Sequence, residues 1–130
     1  MKEYKIEIPF QLKRTDELTE KEREWRDAAI TSAKQAYAPY SNFQVGAAVI
    51  LKNDTIVTGN NQENAAYPSG LCAERIALFS AGSHYPDNPI KTIFIVALKD
   101  GVIQDKISPC GACRQVLLES EMRYNCPIQI

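Results

Sequence analysis

Neither sign of charge dominates this sequence: 15 lysines and arginines stand against 16 aspartates and glutamates, a formal net charge of -1. A protein that holds nucleic acid needs a basic field to release counterions, so the even balance argues against such a partner and for a small molecule. Long hydrophobic runs are missing as well. No stretch approaches the roughly 20 apolar residues that span a bilayer, and the charged N-terminus MKEYKIEIPFQLKR lacks the uninterrupted apolar core of a secretory signal. A cytoplasmic protein without membrane contact is expected. Repeats, low-complexity tracts and linker-like stretches are also absent. The length of 130 residues with 45% hydrophobic content therefore suits one domain, residues 1–130, around one buried core. Histidine is nearly absent: His84, the only one, sits in the loop-like stretch Gly82-Ser83-His84-Tyr85-Pro86 and reads as a solvated surface residue, not a ligand.

What is present is patterned. Tyr4, Ile6, Ile8 and Phe10 alternate with polar residues as a short half-buried strand does, although an ordered arm has the same pattern. Thr19 followed by Glu22 forms a capping box, and Trp25, Ala29, Ala33 and Ala36 recur at helical spacing until Pro39 forbids continuation. Val45 to Leu51 is a nearly continuous apolar run, the mark of a strand covered on both faces. Lys52-Asn53-Asp54 then turns the chain into a returning strand at Thr55 to Thr58. Cys72 to Ala81 has helical propensity, and Thr92 to Leu98 is rich in β-branched and aromatic residues. After a loop containing Gly101, Pro109 opens a further helix, CGACRQVLLESEM, and Pro127 to Ile130 looks like the start of another strand. Helices alternating with buried strands predict a three-layer α/β/α sandwich around one mixed central sheet.

The four cysteines carry the chemistry. In a reducing compartment, thiols are more often metal ligands, nucleophiles or buried apolar groups than disulfides. Cys110 and Cys113 stand three residues apart at the opening of a helix, so both thiols project from one face. Cys72 occupies the same kind of place at the start of the other helix. Unpaired amides at a helix N-terminus favour thiolates, the form zinc binds, and two such termini can converge on one ion. Three protein ligands leave the fourth tetrahedral position open, the arrangement of a catalytic Zn2+. Glu74, two residues after Cys72, is placed to act as proton shuttle. Three thiolates exceed the charge of the ion, and Arg75 is placed to offset that excess by donating hydrogen bonds to the sulfurs.

These residues resemble the free-nucleoside cytidine deaminases of the small-subunit type with three cysteine ligands. The pattern appears as Cys72-Ala73-Glu74-Arg75 and Pro109-Cys110-Gly111-Ala112-Cys113, followed by Arg114-Gln115-Val116. The resemblance continues through Gly59-Asn60-Asn61-Gln62-Glu63-Asn64-Ala65 and Pro39-Tyr40-Ser41-Asn42-Phe43-Gln44-Val45-Gly46, and covers most of residues 25 to 125. It implies hydrolytic deamination of cytidine and deoxycytidine with zinc as cofactor and Glu74 as the catalytic residue. It further implies substrate contacts from Phe43, Asn61, Glu63 and Ala73, with Asn61 and Glu63 on the ribose hydroxyls. A homotetramer serving pyrimidine salvage follows from the same resemblance. Members of the family continue for another strand and a C-terminal segment, so the chain is expected to lack that segment.

Three alternatives compete with this reading. Cys126 could complete a closed four-cysteine structural site, although a buried apolar role before a core strand fits it better. A deaminase of the blasticidin type shares the zinc motif, but the Asn61 and Glu63 pair argues against it. An inactive zinc-binding core would have no need of Glu74.

Overall fold

A computed structural model describes all residues, Met1–Ile130. Helix α1 (Glu20–Ala33) opens at Thr19, whose hydroxyl accepts from the Glu22 amide while the Glu22 carboxylate accepts from the Thr19 amide. The capping box expected from the sequence is thus formed, and Lys13 donates to the same carboxylate at 2.8 Å. Strand β1 (Phe43–Leu51) pairs antiparallel with β2 (Ile56–Asn60), and the turn between them places Asp54 in the left-handed region, φ 67°. Helix α2 (Ala73–His84) leads to β3 (Ile90–Lys99), which pairs antiparallel with the other side of β1. A tight turn then gives the two-residue strand β4 (Val102–Ile103), and α3 (Gly111–Tyr124) follows.

The sheet order is β2-β1-β3-β4. β1 runs through the centre, so its side chains are buried alternately on both faces, as the continuous apolar run predicts. Ala48 and Ile50 meet Ala29 and Ala33 of α1 together with Val96 and Leu98. Ala47, Val49 and Leu51 meet Ala73, Ala77, Leu78 and Ala81 of α2, and Leu117 of α3. The three layers expected from the sequence are therefore α1, the sheet, and α2 with α3. The four strands pair antiparallel, and parallel pairing is confined to two isolated bridges, Tyr37 with Gln62 and Thr92 with Gln129. Leu51 and Ile50 are wholly buried, and truncating either to alanine is expected to cost about 2–5 kcal/mol.

Two elements differ from expectation. Residues 4–10 form no strand: Tyr4, Ile6, Ile8 and Phe10 are each at least 80% exposed. Alternation says which side of a strand would be buried, not what would bury it, and Pro9 removes one ladder donor. Helix α1 also ends before Ala36, because the Tyr37 amide turns away to donate to the Asn61 carbonyl and the Tyr37 carbonyl accepts from the Glu63 amide. This exchange draws the segment after α1 alongside the segment after β2. No helix is long and apolar enough to cross a membrane.

Close backbone approach fixes the helices on the sheet. A Cβ at Gly46 would lie 2.0 Å from the Ala29 carbonyl of α1, and one at Gly59 would lie 2.5 Å from the Ala77 amide and 2.7 Å from the Ala73 carbonyl of α2. Only glycine lets β2 support the first turn of α2 so closely.

Candidate active site

Two helix starts meet at one point. Cys72 is the N-cap of α2 and Cys110 the N-cap of α3, each with extended backbone, and Cys113 lies one turn further along α3. The Sγ atoms of Cys72 and Cys110 are 3.8 Å apart and those of Cys110 and Cys113 are 3.5 Å apart. All three sulfurs lie within 4.8 Å of one another. Thiolates sharing a tetrahedral zinc at about 2.3 Å stand about 3.8 Å from each other, so the donor set fits Zn2+ in number, element and spacing. Cys126 is not in this group. It is buried, with Sγ 3.5 Å from the Ile90 carbonyl oxygen. His84 is also elsewhere, bonded through Nδ1 to the Ser80 carbonyl near the end of α2.

The electrostatics differ between the thiols. The Cys113 amide, followed by the neighbouring thiols, pulls Cys110 below the ordinary thiol value. Burial, then the Glu74 carboxylate, pushes Cys113 up. A bound dication reverses that second cost, since a coordinated thiol is deprotonated outright. Arg75 donates from Nη2 to Cys72 Sγ at 3.7 Å, and the Cys72 and Cys113 sulfurs beside it raise its own value. The guanidinium thus stands where the sequence places it, against the ligands. Its buried Nε has no protein partner.

Glu74 is 5% exposed. Burial raises its carboxyl above the ordinary value, against the opposing effects of its own backbone amide, Arg75 and the Cys113 side chain. Ala73, the first residue of α2, is fully buried beside it. A carboxyl that holds a proton more readily, adjacent to a metal ligand, is suited to proton transfer.

Next to the thiols opens a cleft of about 640 Å³, lined among others by Tyr40, Asn61, Glu63, Tyr67, Cys72 and Arg75. Glu63 Oε1 accepts from the amides of Tyr40 and Ser41 at 2.9 and 3.1 Å, and the Ser41 side chain heads the causes that lower its carboxyl. Asn61 Oδ1 accepts from the Val45 amide at 2.7 Å while its Nδ2 donates to the Phe43 carbonyl at 2.9 Å. Phe43 is half-buried at the start of β1 and held by Asn61, but does not itself line the cleft. Gln62 exchanges backbone hydrogen bonds with Leu71, which joins this wall to the residue before Cys72. The structure therefore brings Asn61, Glu63, Cys72 and Arg75 to one cleft, with the Cys110 sulfur beside Cys72, and Cys113 and Glu74 behind it. The backbone roles of Tyr40, Ser41 and Leu71 escaped the sequence reading, because any residue can supply an amide.

Comparison with known proteins gives the family. Residues 19–126 match the model of the cytidine and deoxycytidylate deaminase zinc-binding region. A cytidine deaminase of Halalkalibacterium halodurans is 44% identical over 91 residues, covering 70% of this chain and 65% of the relative. One of Sporosarcina psychrophila is 48% identical over 86 residues, covering 66% of this chain and 60% of the relative. The chain thus spans less than two thirds of the length of either. The crystal structure of the cytidine deaminase from Burkholderia pseudomallei superposes with a TM-score of 0.64 at 42% identity, over 78% of this chain and 76% of that one. With residues 19–126 matched to that zinc-binding region and three thiols converging in the structure, the chain belongs to the cytidine and deoxycytidylate deaminase family.

Proposed function

We propose that this chain hydrolytically deaminates cytidine and deoxycytidine, giving uridine or deoxyuridine and ammonia. The observation that carries the reading is the convergence of three thiol sulfurs with the buried carboxyl of Glu74, at one end of a cleft whose other wall presents Asn61 and Glu63. When held by Cys72, Cys110 and Cys113, zinc supplies Lewis-acid activation of water. Glu74 takes a proton as water adds to C4 of the base and delivers one to N3. It then takes the remaining proton from the C4 hydroxyl and passes it to the exocyclic nitrogen, which leaves as ammonia while the water oxygen stays on C4 as the carbonyl. Arg75 draws electron density from the Cys72 sulfur, so that three thiolates do not cancel the acidity of the ion. Glu63 keeps Oε2 clear of backbone donors and Asn61 keeps one amide hydrogen, a donor and acceptor pair suited to a sugar diol. Ala73 and Phe43, which the resemblance gives as substrate contacts, lie behind the lining of the cleft and back its wall.

In the same reading residues 1–130 form one deaminase domain acting in the cytoplasm, in pyrimidine salvage. It works there as a homo-oligomer, a tetramer by resemblance. The exposed Phe79, Leu118 and Met122 on the outer sides of α2 and α3 support such association. The test is the ultraviolet absorbance of cytidine incubated with the zinc-loaded chain. Conversion of the cytidine spectrum to that of uridine at catalytic protein concentration is the expected result. An unchanged spectrum from folded, zinc-loaded protein overturns the reading.

A further inference from the structure

The segment Tyr40–Phe43 is tied down more thoroughly than a surface loop requires. The Tyr40 and Ser41 amides donate to Glu63, the Asn42 amide to the Ala38 carbonyl, and the Phe43 amide to Ser41 Oγ. The Phe43 carbonyl accepts from Asn61. Apart from Ala38, just before the segment, these partners line the cleft or belong to the segment itself. Beyond the ladder that pairs Phe43 with Lys99, one side-chain tie leads the other way: Asn42 Nδ2 donates to Asp100 Oδ1 at 2.6 Å.

The backbone explains why these two side chains meet. Phe43 is opposite Lys99 in the β1–β3 ladder, so Asn42 and Asp100 are the next pair beyond its end. Lys99 pairs with Val102, leaving Asp100 and Gly101 as a two-residue hairpin turn with φ 51° and 77°. This is the doubly left-handed turn that Asp-Gly favours. Asn42 is left-handed too, φ 53°, a conformation that asparagine and aspartate tolerate better than other side chains do. Neither residue lines the cleft, and neither contacts the thiols.

We propose that Asn42 and Asp100 are a positioning pair that anchors the Tyr40–Phe43 segment to the β3–β4 turn and so presets the wall of the cleft that carries Tyr40, Ser41 and Glu63. The proposal rests on the reading of Glu63 as a nucleoside contact. Its physical reason is a double demand on Glu63, whose carboxylate holds two loop amides and must also meet a sugar hydroxyl. An anchor on the far side keeps the segment in place while Glu63 does both, and the ordering cost is met before the nucleoside arrives.

The experiment compares the parent chain with Asn42→Asp and with the exchanged pair Asn42→Asp/Asp100→Asn. Asn42→Asp sets two carboxylates against each other, whereas the exchange restores one donor and one acceptor, and both residue types accept the left-handed backbone. Asn42→Asp is expected to raise KM for cytidine about five- to tenfold, the scale of losing a hydrogen bond to a charged group at an exposed site, with kcat within about twofold. Amide hydrogen exchange at residues 40–43, measured without nucleoside, should quicken. The exchanged pair should bring both readings back to near the parent values. An unchanged KM and exchange rate in Asn42→Asp, or a defect that the exchanged pair does not repair, overturns the proposal. If the parent does not deaminate cytidine, the functional reading fails. The hydrogen-exchange comparison then still decides the anchor, quickening and repair supporting it and no change removing it.

Discussion

On the metal side of the cleft, Cys72 and Cys110 each cap a helix and Cys113 lies one turn into α3, so regular elements packed on the sheet set their positions. On the side proposed to meet the sugar, Asn61 and Glu63 lie in irregular chain and are held by hydrogen bonds between side chain and backbone. The first arrangement transmits any displacement of a helix directly to the ligands. The second can lose one tie and keep the others. The metal wall should therefore respond sharply to small changes in packing, and the sugar wall gradually to changes in its polar groups.

The largest effect should come from the metal wall itself. Cys113→Ser removes a fully buried sulfur and should lower zinc affinity by more than about 100-fold, beyond the 10–100-fold usual when a group that only supports a ligand is lost. Metal analysis after dialysis checks this, with Cys126→Ser retaining zinc as the control. Gly59→Ala touches no ligand, yet its added Cβ meets the first turns of α2. It should destabilise the fold by about 1–3 kcal/mol through overpacking and weaken zinc binding by shifting Cys72 and Glu74. Chemical denaturation and zinc titration of the same protein separate these two effects, and an unaltered zinc affinity would break the comparison.

Smaller changes belong to the sugar wall. Glu63→Gln keeps an oxygen for the Tyr40 and Ser41 amides but loses the charge, so KM for cytidine should rise about tenfold while zinc content stays full. Steady-state kinetics beside metal analysis checks it. The smallest effect lies outside the site, at Asp54. Its hydrogen bond from Lys21, and then Lys91, lowers its carboxyl to about 2 from the ordinary 3.8. A value lowered by folding contributes stability that is fully present above 3.8 and is lost as pH falls toward 2. Asp54→Asn should flatten that acid limb of the unfolding curve slightly, since the cluster is solvent-exposed and screened.

The same contrast governs what the sequence reveals. The metal wall was legible because zinc chemistry admits few residue types, and helix geometry ties their spacing to one face. The capping box at Thr19 and the apolar run of β1 were legible for similar reasons, since each pattern has one low-energy outcome. The sugar wall was less so. Asn61 and Glu63 were expected as ribose contacts, but their grip on the backbone of residues 40–45 depends on how the segments after α1 and β2 run side by side. The pairing of Asn42 with Asp100 joins residues 58 positions apart, and only the register of β1 against β3 brings them together. Residues 4–10 show the converse. Their alternation is as regular as that of a strand, yet no edge of the sheet receives them.

The division of labour inside the metal wall is tested most directly by Glu74→Gln in zinc-loaded protein, with bound zinc and cytidine turnover measured on one sample. In the proposed mechanism the carboxyl moves protons and stands apart from the group of three sulfurs, so zinc should remain stoichiometric while turnover falls by about 10²–10⁴-fold, the usual contribution of a general acid–base group. Turnover that survives the substitution with zinc in place would contradict the assignment of Glu74 as the proton shuttle.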